Sequence, residues 1–310
     1  MKIAVIIPCY NVAAHIESVV EKIPANIDWI IAVNDCSKDD TANILLKLAK
    51  HSKRIIYLQH EKNQGVGAAM LTGYKKSIEL KADISIKMDG DGQMDASYIP
   101  ALVNPLVEDK ADFTKGNRFH NLRALQRMPI TRRIGNTGLS FIIKASSGYW
   151  NTFDPTNGFT AIKNETLMEM DLYRIHKRYY FETSMLIELY YRSAVVKDIP
   201  MHANYGEEIS GLSRTRVFFE FPPKLLYAFI RRLLLKYFLY EFNVASIYLL
   251  TGLPMFCYGL AFGIKNYLKY TSIGLPAPTG TVIIPTLLII LGFQLLLSGV
   301  SYDIGNYPKK

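Results

Sequence analysis

Ile84-Ser85-Ile86-Lys87-Met88-Asp89-Gly90-Asp91-Gly92-Gln93 decides how this chain is read. Apolar positions alternate from Ile84 to Met88, the period of a strand with one face buried and the other turned outward. Two carboxylates follow one residue apart, and Gly90 between them permits a tight turn. Hard oxygen ligands on a short turn suit Mg²⁺ or Mn²⁺, which bind few protein groups and fill their remaining positions with water and phosphate. Asp89, Asp91 and Gln93 are therefore the candidate metal ligands. A strand that ends this way is a clamp for a nucleoside diphosphate; it also reads as an ordinary acidic turn.

The segments around it favour the clamp. Lys2-Ile3-Ala4-Val5-Ile6-Ile7 is a short buried strand that stops at Pro8 and passes into Cys9-Tyr10-Asn11. Residues 16–23 have helical spacing, with Glu17 and Glu21 outward. Trp29-Ile30-Ile31-Ala32-Val33 forms a second strand ahead of the polar loop Asn34-Asp35-Cys36-Ser37-Lys38-Asp39-Asp40-Thr41, which can cap a helix. A third strand covers 54–59, and Asn63-Gln64-Gly65-Val66-Gly67-Ala68-Ala69 opens another helix. Strands alternating with helices predict an α/β fold with a mainly parallel sheet covered on both faces. Ligands of such sheets collect beyond the carboxyl ends of the strands. The loops at Asn11, Asp35, Asn63 and Asp89 should then share one rim.

Taken in order, Pro8-Cys9-Tyr10-Asn11, Val33-Asn34-Asp35-Cys36-Ser37, Asn63-x-Gly65-x-Gly67-x-Ala69, Asp89-Gly90-Asp91-Gly92-Gln93 and Gly116-Asn117-Arg118 resemble a family 2 glycosyltransferase of the GT-A nucleotide-sugar-binding fold. Asp154-Pro155-Thr156-Asn157-Gly158-Phe159, Phe181-Glu182 and Tyr205-Gly206-Glu207-Glu208-x-Ser210 extend the resemblance. More narrowly, the chain is similar to the membrane-attached branch that includes dolichyl-phosphate mannose synthases and bacterial polyprenyl-phosphate glycosyltransferases. The resemblance implies donor contacts from Pro8, Tyr10, Asn11, Asp35, Asn63, Gly65, Gly67, Asp89 and Gly90, with Asp35 at the nucleotide base and the glycine loop bringing backbone close to the donor. Asp89, Asp91, Glu182 and Asp154 are the candidate catalytic residues. For the acceptor phosphate the resemblance points to Arg118 and either Arg132 or Arg133. Two departures stand out: Asn34 replaces the first acid of a frequent Asp pair, and Val12 replaces a frequent Glu.

Composition bounds the partners. A formal net charge of +9 on 310 residues fits anionic ligands such as a UDP- or GDP-linked sugar and an anionic lipid surface. No nucleic-acid-binding motif accompanies the charge, so nucleic acid is not expected. Cys9, Cys36 and Cys257 have no paired spacing and read as reduced thiols. No signal peptide is expected, because the first apolar run is short and ends at Pro8. His60, His120, His176 and His202 have no metal spacing and read as surface or structural residues.

The composition changes near Pro222-Pro223. Beyond it, Lys224, Arg231, Arg232 and Lys236 fall at spacings of one helical stripe among apolar residues, as in a helix lying in a headgroup layer or one packed on the domain. Stretches 244–263 and 281–300 contain no charged residue. Each matches the roughly 20 residues that cross a ~30 Å hydrocarbon core. Pro254 and Pro285 are candidate kinks, and Gln294 is expected to face a partner helix. Buried core helices are the other reading. We therefore divide the chain into a GT-A catalytic domain at 1–221, an interfacial helix at 222–243 and an anchor of two transmembrane helices at 244–310. Basic residues before the first span and at Lys309-Lys310 outnumber Lys265 and Lys269, taken to lie in the connecting loop. This favours an integral membrane protein with a cytoplasmic catalytic domain. A homo-oligomer is compatible with this organisation.

The reaction expected is metal-dependent, inverting transfer of a hexose to polyprenyl phosphate. An acceptor phosphate is largely ionised at neutral pH, its second pKa being about 6, so it needs cations rather than a base. Arg118, Arg123, Arg127, Arg132 and Arg133 could supply them or form a solvated basic loop. A membrane-associated glycan or lipid hydroxyl would instead need a general base, for which Asp154 and Glu182 are the candidates. An inactive nucleotide-binding membrane scaffold is the reading outside catalysis.

Overall fold

The apolar runs assemble into one seven-stranded sheet in a computed structural model that describes residues 1–118, 130–202 and 214–309, with side chains for 1–118, 137–202 and 221–309. The strands are β1 (Ile3–Cys9), β2 (Trp29–Asn34), β3 (Ile55–Gln59), β4 (Ile84–Lys87), β5 (Phe113–Asn117), β6 (Thr160–Lys163) and β7 (Val196–Pro200). Their order is β3-β2-β1-β4-β6-β5-β7. Every pairing is parallel except those of β6, which runs antiparallel to both β4 and β5. The mainly parallel α/β sheet is as expected, with β6 as the antiparallel insert.

Side-chain alternation on β1 sorts the core into two layers. Ile3, Val5 and Ile7 pack with Ile16 and Val19 of α1 (Ile16–Lys22), Leu45 of α2 (Thr41–His51) and Leu102 of α4 (Ile99–Val107). Ala4 and Ile6 pack on the opposite face with Met70 and Tyr74 of α3 (Val66–Glu79) and Leu186 of α7 (Phe181–Tyr191). Between them in sequence lie α5 (Ile130–Ser147) and α6 (Asn164–Glu169). β1 does not stop at Pro8: Pro8 and Cys9 continue the pairing opposite Val33 and Asn34.

The one-sided reading of β4 is corrected. All four of its residues are buried, including Ser85 and Lys87. The polar face meets a polar interior instead of water. Ser85 Oγ lies 2.6 Å from Ser77 Oγ and 2.6 Å from Asn164 Oδ1, and Asn164 Nδ2 donates to the Ala82 carbonyl at 2.8 Å. Buried hydroxyls and amides are tolerated when each finds a partner, as these do.

The chain divides into two compact units, Met1–Ala228 and Phe229–Tyr307. Helix α8 (Arg214–Leu234) begins before Pro222-Pro223 and runs through both prolines, so the composition change there is not a helix start. In the second unit a π-helical turn at Leu235–Tyr240 precedes two long apolar helices, α9 (Val244–Ile273) and α10 (Thr279–Gly305). Asn243 caps α9 in a capping box with Ser246. Both helices are long and apolar enough to cross a membrane, and only 11% of either apolar window is buried. Among the described residues, neither helix is enclosed as the core helix of a domain would be. Lys265 and Lys269 lie within α9 rather than in a connecting loop. Gln294 is exposed on this chain. The two helices touch closely at Gly292, where a Cβ would sit 2.6 Å from the Phe256 backbone nitrogen.

The basic stripe is also corrected. Arg232 is fully buried, and its Nη1 and Nη2 donate to Asp303 Oδ1 and Oδ2 at 2.7 and 2.8 Å. Tyr237 donates its hydroxyl to Asp303 Oδ1 at 2.5 Å. A bidentate guanidinium-carboxylate pair gives direction as well as charge neutrality. It joins the end of α8 to the end of α10. Removing one partner of a buried pair strands the other, at a cost of about 3–5 kcal/mol. Asp303→Asn should therefore markedly lower the thermal unfolding midpoint of the full chain in detergent micelles. An unchanged midpoint would show that the pair does not hold this unit together.

Candidate active site

The loops after β1 and β2 are built as one surface. Asn11 takes a left-handed conformation with φ 54°, which Asn tolerates better than most residues. Its backbone N–H donates to Ser37 Oγ at 3.0 Å, and its Oδ1 accepts from the Lys38 N–H at 2.8 Å. Val12 N–H donates to Thr41 Oγ1 at 2.9 Å. Tyr10 is left 45% exposed on this rim, beyond the half-buried Pro8. Val12, the departure from Glu, packs against Gly90. Asn34, the other departure, is buried and accepts from the Ser37 N–H at 3.1 Å.

Asp35 points inward from this surface. Its Oδ1 accepts from the Gln64 N–H at 2.9 Å and lies 2.7 Å from His60 Nδ1, and its Oδ2 accepts from the Gly65 N–H at 2.7 Å. His60 Nε2 is 2.9 Å from Thr72 Oγ1. Asp35 thus ties the β2 loop to the half-buried loop of Asn63, and His60 has the structural role expected of it. The glycines of that loop bring backbone close to the chain's own residues 176–178. A Cβ on Gly67 would fall 2.2 Å from the His176 carbonyl oxygen, and one on Gly65 2.6 Å from that of Lys177. Ala68 N–H donates to the Lys177 carbonyl at 3.0 Å.

The acidic turn follows β4. Lys87, 1% exposed, donates from Nζ to Asp89 Oδ1 at 2.6 Å and lies 3.5 Å from Glu182 Oε1. Glu182 stands in the first turn of α7. Gly158 closes over the group, since a Cβ there would be 2.4 Å from Lys87 Nζ and 2.9 Å from Asp89 Oδ2. Burial alone would lower the Lys87 pKa, but Asp89 and Glu182 outweigh it and hold the ammonium above its ordinary value. Burial raises the Glu182 carboxyl, with Asp89 adding to the effect and Lys87 opposing it. Asp91 is half-buried and accepts the Gln93 N–H at Oδ1, 3.0 Å away, while Gln93 itself is exposed.

Asp154 is fully buried beside this cluster. Its Oδ2 accepts from Arg118 Nε at 2.8 Å, and its Oδ1 accepts from Arg118 Nη2 at 3.1 Å. Asn157 Nδ2 donates to Asp154 Oδ2 at 3.3 Å, and the buried Lys115 ammonium donates to the Asp154 carbonyl. Burial pushes the Asp154 carboxyl up, but the Arg118 hydrogen bonds and charge, helped by Lys115, hold it below 3.8. Both oxygens of this carboxylate accept from Arg118, which orients the guanidinium and leaves the carboxylate weakly basic. Burial lowers the Lys115 pKa.

The structure therefore gathers Asp89, Asp91, Gly90 and Glu182 at one point and Asp154 with Arg118 next to it. Asn11 and Asp35 stand on the adjoining loops. The side chains of Arg132 and Arg133, and Arg123, Arg127 and the 205–210 motif, lie outside the described residues. Sequence reasoning missed Lys87 and Lys115. The usable signal for Lys87 was a lysine two residues before an acidic pair on a strand. Among the described residues no three His, Cys, Asp or Glu side chains converge into a closed metal cage. The two half-buried carboxylates of the turn, Asp89 and Asp91, are hard oxygen donors of the kind that suit Mg²⁺ or Mn²⁺ bound largely through water and phosphate.

The sequence matches the profile of Glycosyl transferase family 2 over residues 4–170. It is 34% identical over 218 residues to a UDP-N-acetylglucosamine--dolichyl-phosphate N-acetylglucosaminyltransferase of Methanococcus voltae, covering 66% of this chain and 86% of that protein. It is 25% identical over 188 residues to an undecaprenyl-phosphate mannosyltransferase of Micrococcus luteus, covering 60% and 76%. Among solved structures, the glucosyl-3-phosphoglycerate synthase of M. tuberculosis aligns with TM-score 0.51 at 18% identity, over 74% of this chain and 80% of that one, a likeness of fold.

Because its folded pKa is depressed, Asp154 binds fewer protons in the folded state than in the unfolded state near 3.8. Its stabilisation is present above that value and is lost as pH falls through the lower folded pKa. The difference in unfolding midpoint between the native protein and Asp154→Asn should be constant at neutral pH and shrink below about pH 4. A difference that persists unchanged into strong acid would contradict the ion-pair assignment.

Proposed function

Because this chain belongs to glycosyl transferase family 2, and is therefore a glycosyltransferase, we propose that it transfers a hexose from a UDP- or GDP-linked sugar to polyprenyl phosphate, with inversion. The observation that carries the acceptor is the 34% identity to a relative named for transfer to dolichyl phosphate. The two long apolar helices support a lipid acceptor, because they would hold the enzyme at the surface where such a lipid resides. In this reading residues 1–221 are the catalytic domain and the helices within 244–310 its transmembrane anchor. The catalytic domain faces the cytoplasm, where nucleotide sugars are available.

The chemistry follows from the arrangement of charges. A phosphate oxygen of the acceptor attacks the anomeric carbon while the bond to the nucleoside diphosphate breaks on the opposite side, which inverts the centre. The acceptor is already ionised, so no proton need be removed from it. Arg118, fixed in direction by Asp154, would contact the acceptor phosphate, with Arg132 and Arg133 as further cationic groups. Asp89, Asp91 and Gln93 would hold Mg²⁺ or Mn²⁺, whose positive charge stabilises the departing diphosphate. Tyr10 and Asn11 on the rim would meet the nucleotide, and Asp35 would act through the loop of Asn63 and Gly65 that it anchors. Gly67 gives that loop its close seat on the neighbouring segment.

A second reading rests on Glu182. Its raised pKa and position near Asp89 would suit a general base for a glycan or lipid hydroxyl.

Membranes carrying the protein, given a panel of nucleotide sugars and polyprenyl phosphate, should yield a glycosyl polyprenyl phosphate detectable by mass spectrometry. Asp91→Asn should lower turnover by about a hundredfold or more while leaving the fold intact. Full turnover after removal of divalent metal would refute the metal role. Transfer to uncharged lipid alcohols with polyprenyl phosphate inert would favour the Glu182 reading.

A further inference from the structure

The transfer reaction described above leaves Lys87 without a task, although it occupies the centre of the site. Its ammonium has almost no access to water and sits between Asp89 Oδ1 at 2.6 Å and Glu182 Oε1 at 3.5 Å. Gly158 leaves no room on the remaining side. The ammonium thus stands where a cation serving Asp89 would draw its charge complement. A divalent ion can use Asp89 fully only by displacing or sharing this contact.

We propose that Lys87 is an internal counter-cation that holds a divalent ion off Asp89 until a nucleoside diphosphate arrives, so that donor and metal enter the site together. The inference rests on the reading of Asp89 and Asp91 as the metal carboxylates. While Lys87 neutralises Asp89, that carboxylate offers a strongly hydrated cation little, and a turn with one of its carboxylates so engaged is a weak site. A nucleoside diphosphate brings anionic oxygens of its own, which tips the competition. Lys87 is not stranded by the exchange, because Glu182 remains as its second partner and a buried charge needs one. When the nucleoside diphosphate leaves, Lys87 returns to Asp89 and helps expel the ion. Lys87 therefore acts as a positioning residue, through Asp89 and Glu182, and touches no reacting atom.

The test is Mn²⁺ binding to the full chain in detergent micelles, followed by the electron paramagnetic resonance of free Mn²⁺, with and without UDP or GDP. Without nucleotide, Lys87→Met should bind Mn²⁺ about tenfold tighter than the native protein, a change of about 1.4 kcal/mol. Lys87→Arg, which keeps the charge, should stay near the native value. UDP or GDP should strengthen Mn²⁺ binding to the native protein far more than to Lys87→Met. A lysine that merely supported the fold would give the opposite sign, since its loss would loosen the site. Equal or weaker Mn²⁺ binding by folded Lys87→Met, with the native protein binding Mn²⁺ only alongside nucleotide, overturns the role of Lys87 and leaves the metal reading standing. Absence of Mn²⁺ binding by either protein, even with UDP and GDP, overturns both. If Lys87→Met does not fold, Glu182→Gln carries the test. Lys87 then has Asp89 as its sole carboxylate, and nucleotide-supported Mn²⁺ binding should weaken; unchanged binding overturns the proposal.

Discussion

A buried ammonium has to be neutralised where it stands, because the interior offers no water to share its charge. Lys87 imposes that requirement on the middle of this sheet. It belongs to a strand flanked on both sides, so its side chain has no path to solvent. One carboxylate reaches it from the turn that follows β4, and another from the first turn of α7. The segment carrying Gly158 passes close enough that a methyl group would not fit. Three stretches far apart in the chain are thereby drawn to one point at the carboxyl end of the sheet. The acidic turn gains its orientation from an interaction that lies beneath it.

The same economy governs the neighbouring loops. Polar groups that look like ligand contacts on paper are largely engaged with the chain itself. Asp35 accepts two backbone N–H groups and pairs with His60, fixing the entry to α3. The glycines at 65 and 67 admit the backbone of residues 176–178. Asp154 aligns Arg118. Such internal engagement holds the rim in one shape before any ligand binds, which lowers the ordering cost that binding would otherwise carry. Tyr10 and Gln93, which stay exposed, are consequently presented from a rigid frame.

The second unit solves a different problem. Its two apolar helices bury little of themselves and are long enough to cross a bilayer core, a surround that would suit their surface. Arg232 and Asp303 sit at the polar end of this arrangement and satisfy each other with Tyr237. In surroundings of low dielectric constant an unpaired member of this set would be costly. Pairing makes a charged group compatible with a helix hairpin that is otherwise almost free of charge.

Local pattern carried much of this. Period-two apolar runs separated by helical spacing identify the α/β sheet, because alternation and burial are properties of adjacent residues. Uncharged stretches of spanning length identify the two long helices for the same reason. The order of short motifs identifies the family and the acidic turn. Other features depended on partners that sequence spacing does not reveal. Ser85 and Lys87 look outward-facing in the alternation, yet helices cover that face too and supply Ser77, Asn164 and Glu182 to receive them. Arg232 falls neatly on a basic stripe, yet Asp303, 71 residues away, takes it inside. Asp154 reads in the sequence as a candidate base, and in the fold Arg118, 36 residues away, donates to both its oxygens. The sequence by itself determined which residues could form strands, helices and an acidic turn, since those choices are made over a few neighbouring positions. Only the tertiary structure decided which charges are spent on one another, because a charge is neutralised by whatever lies within a few ångströms in space, however distant along the chain.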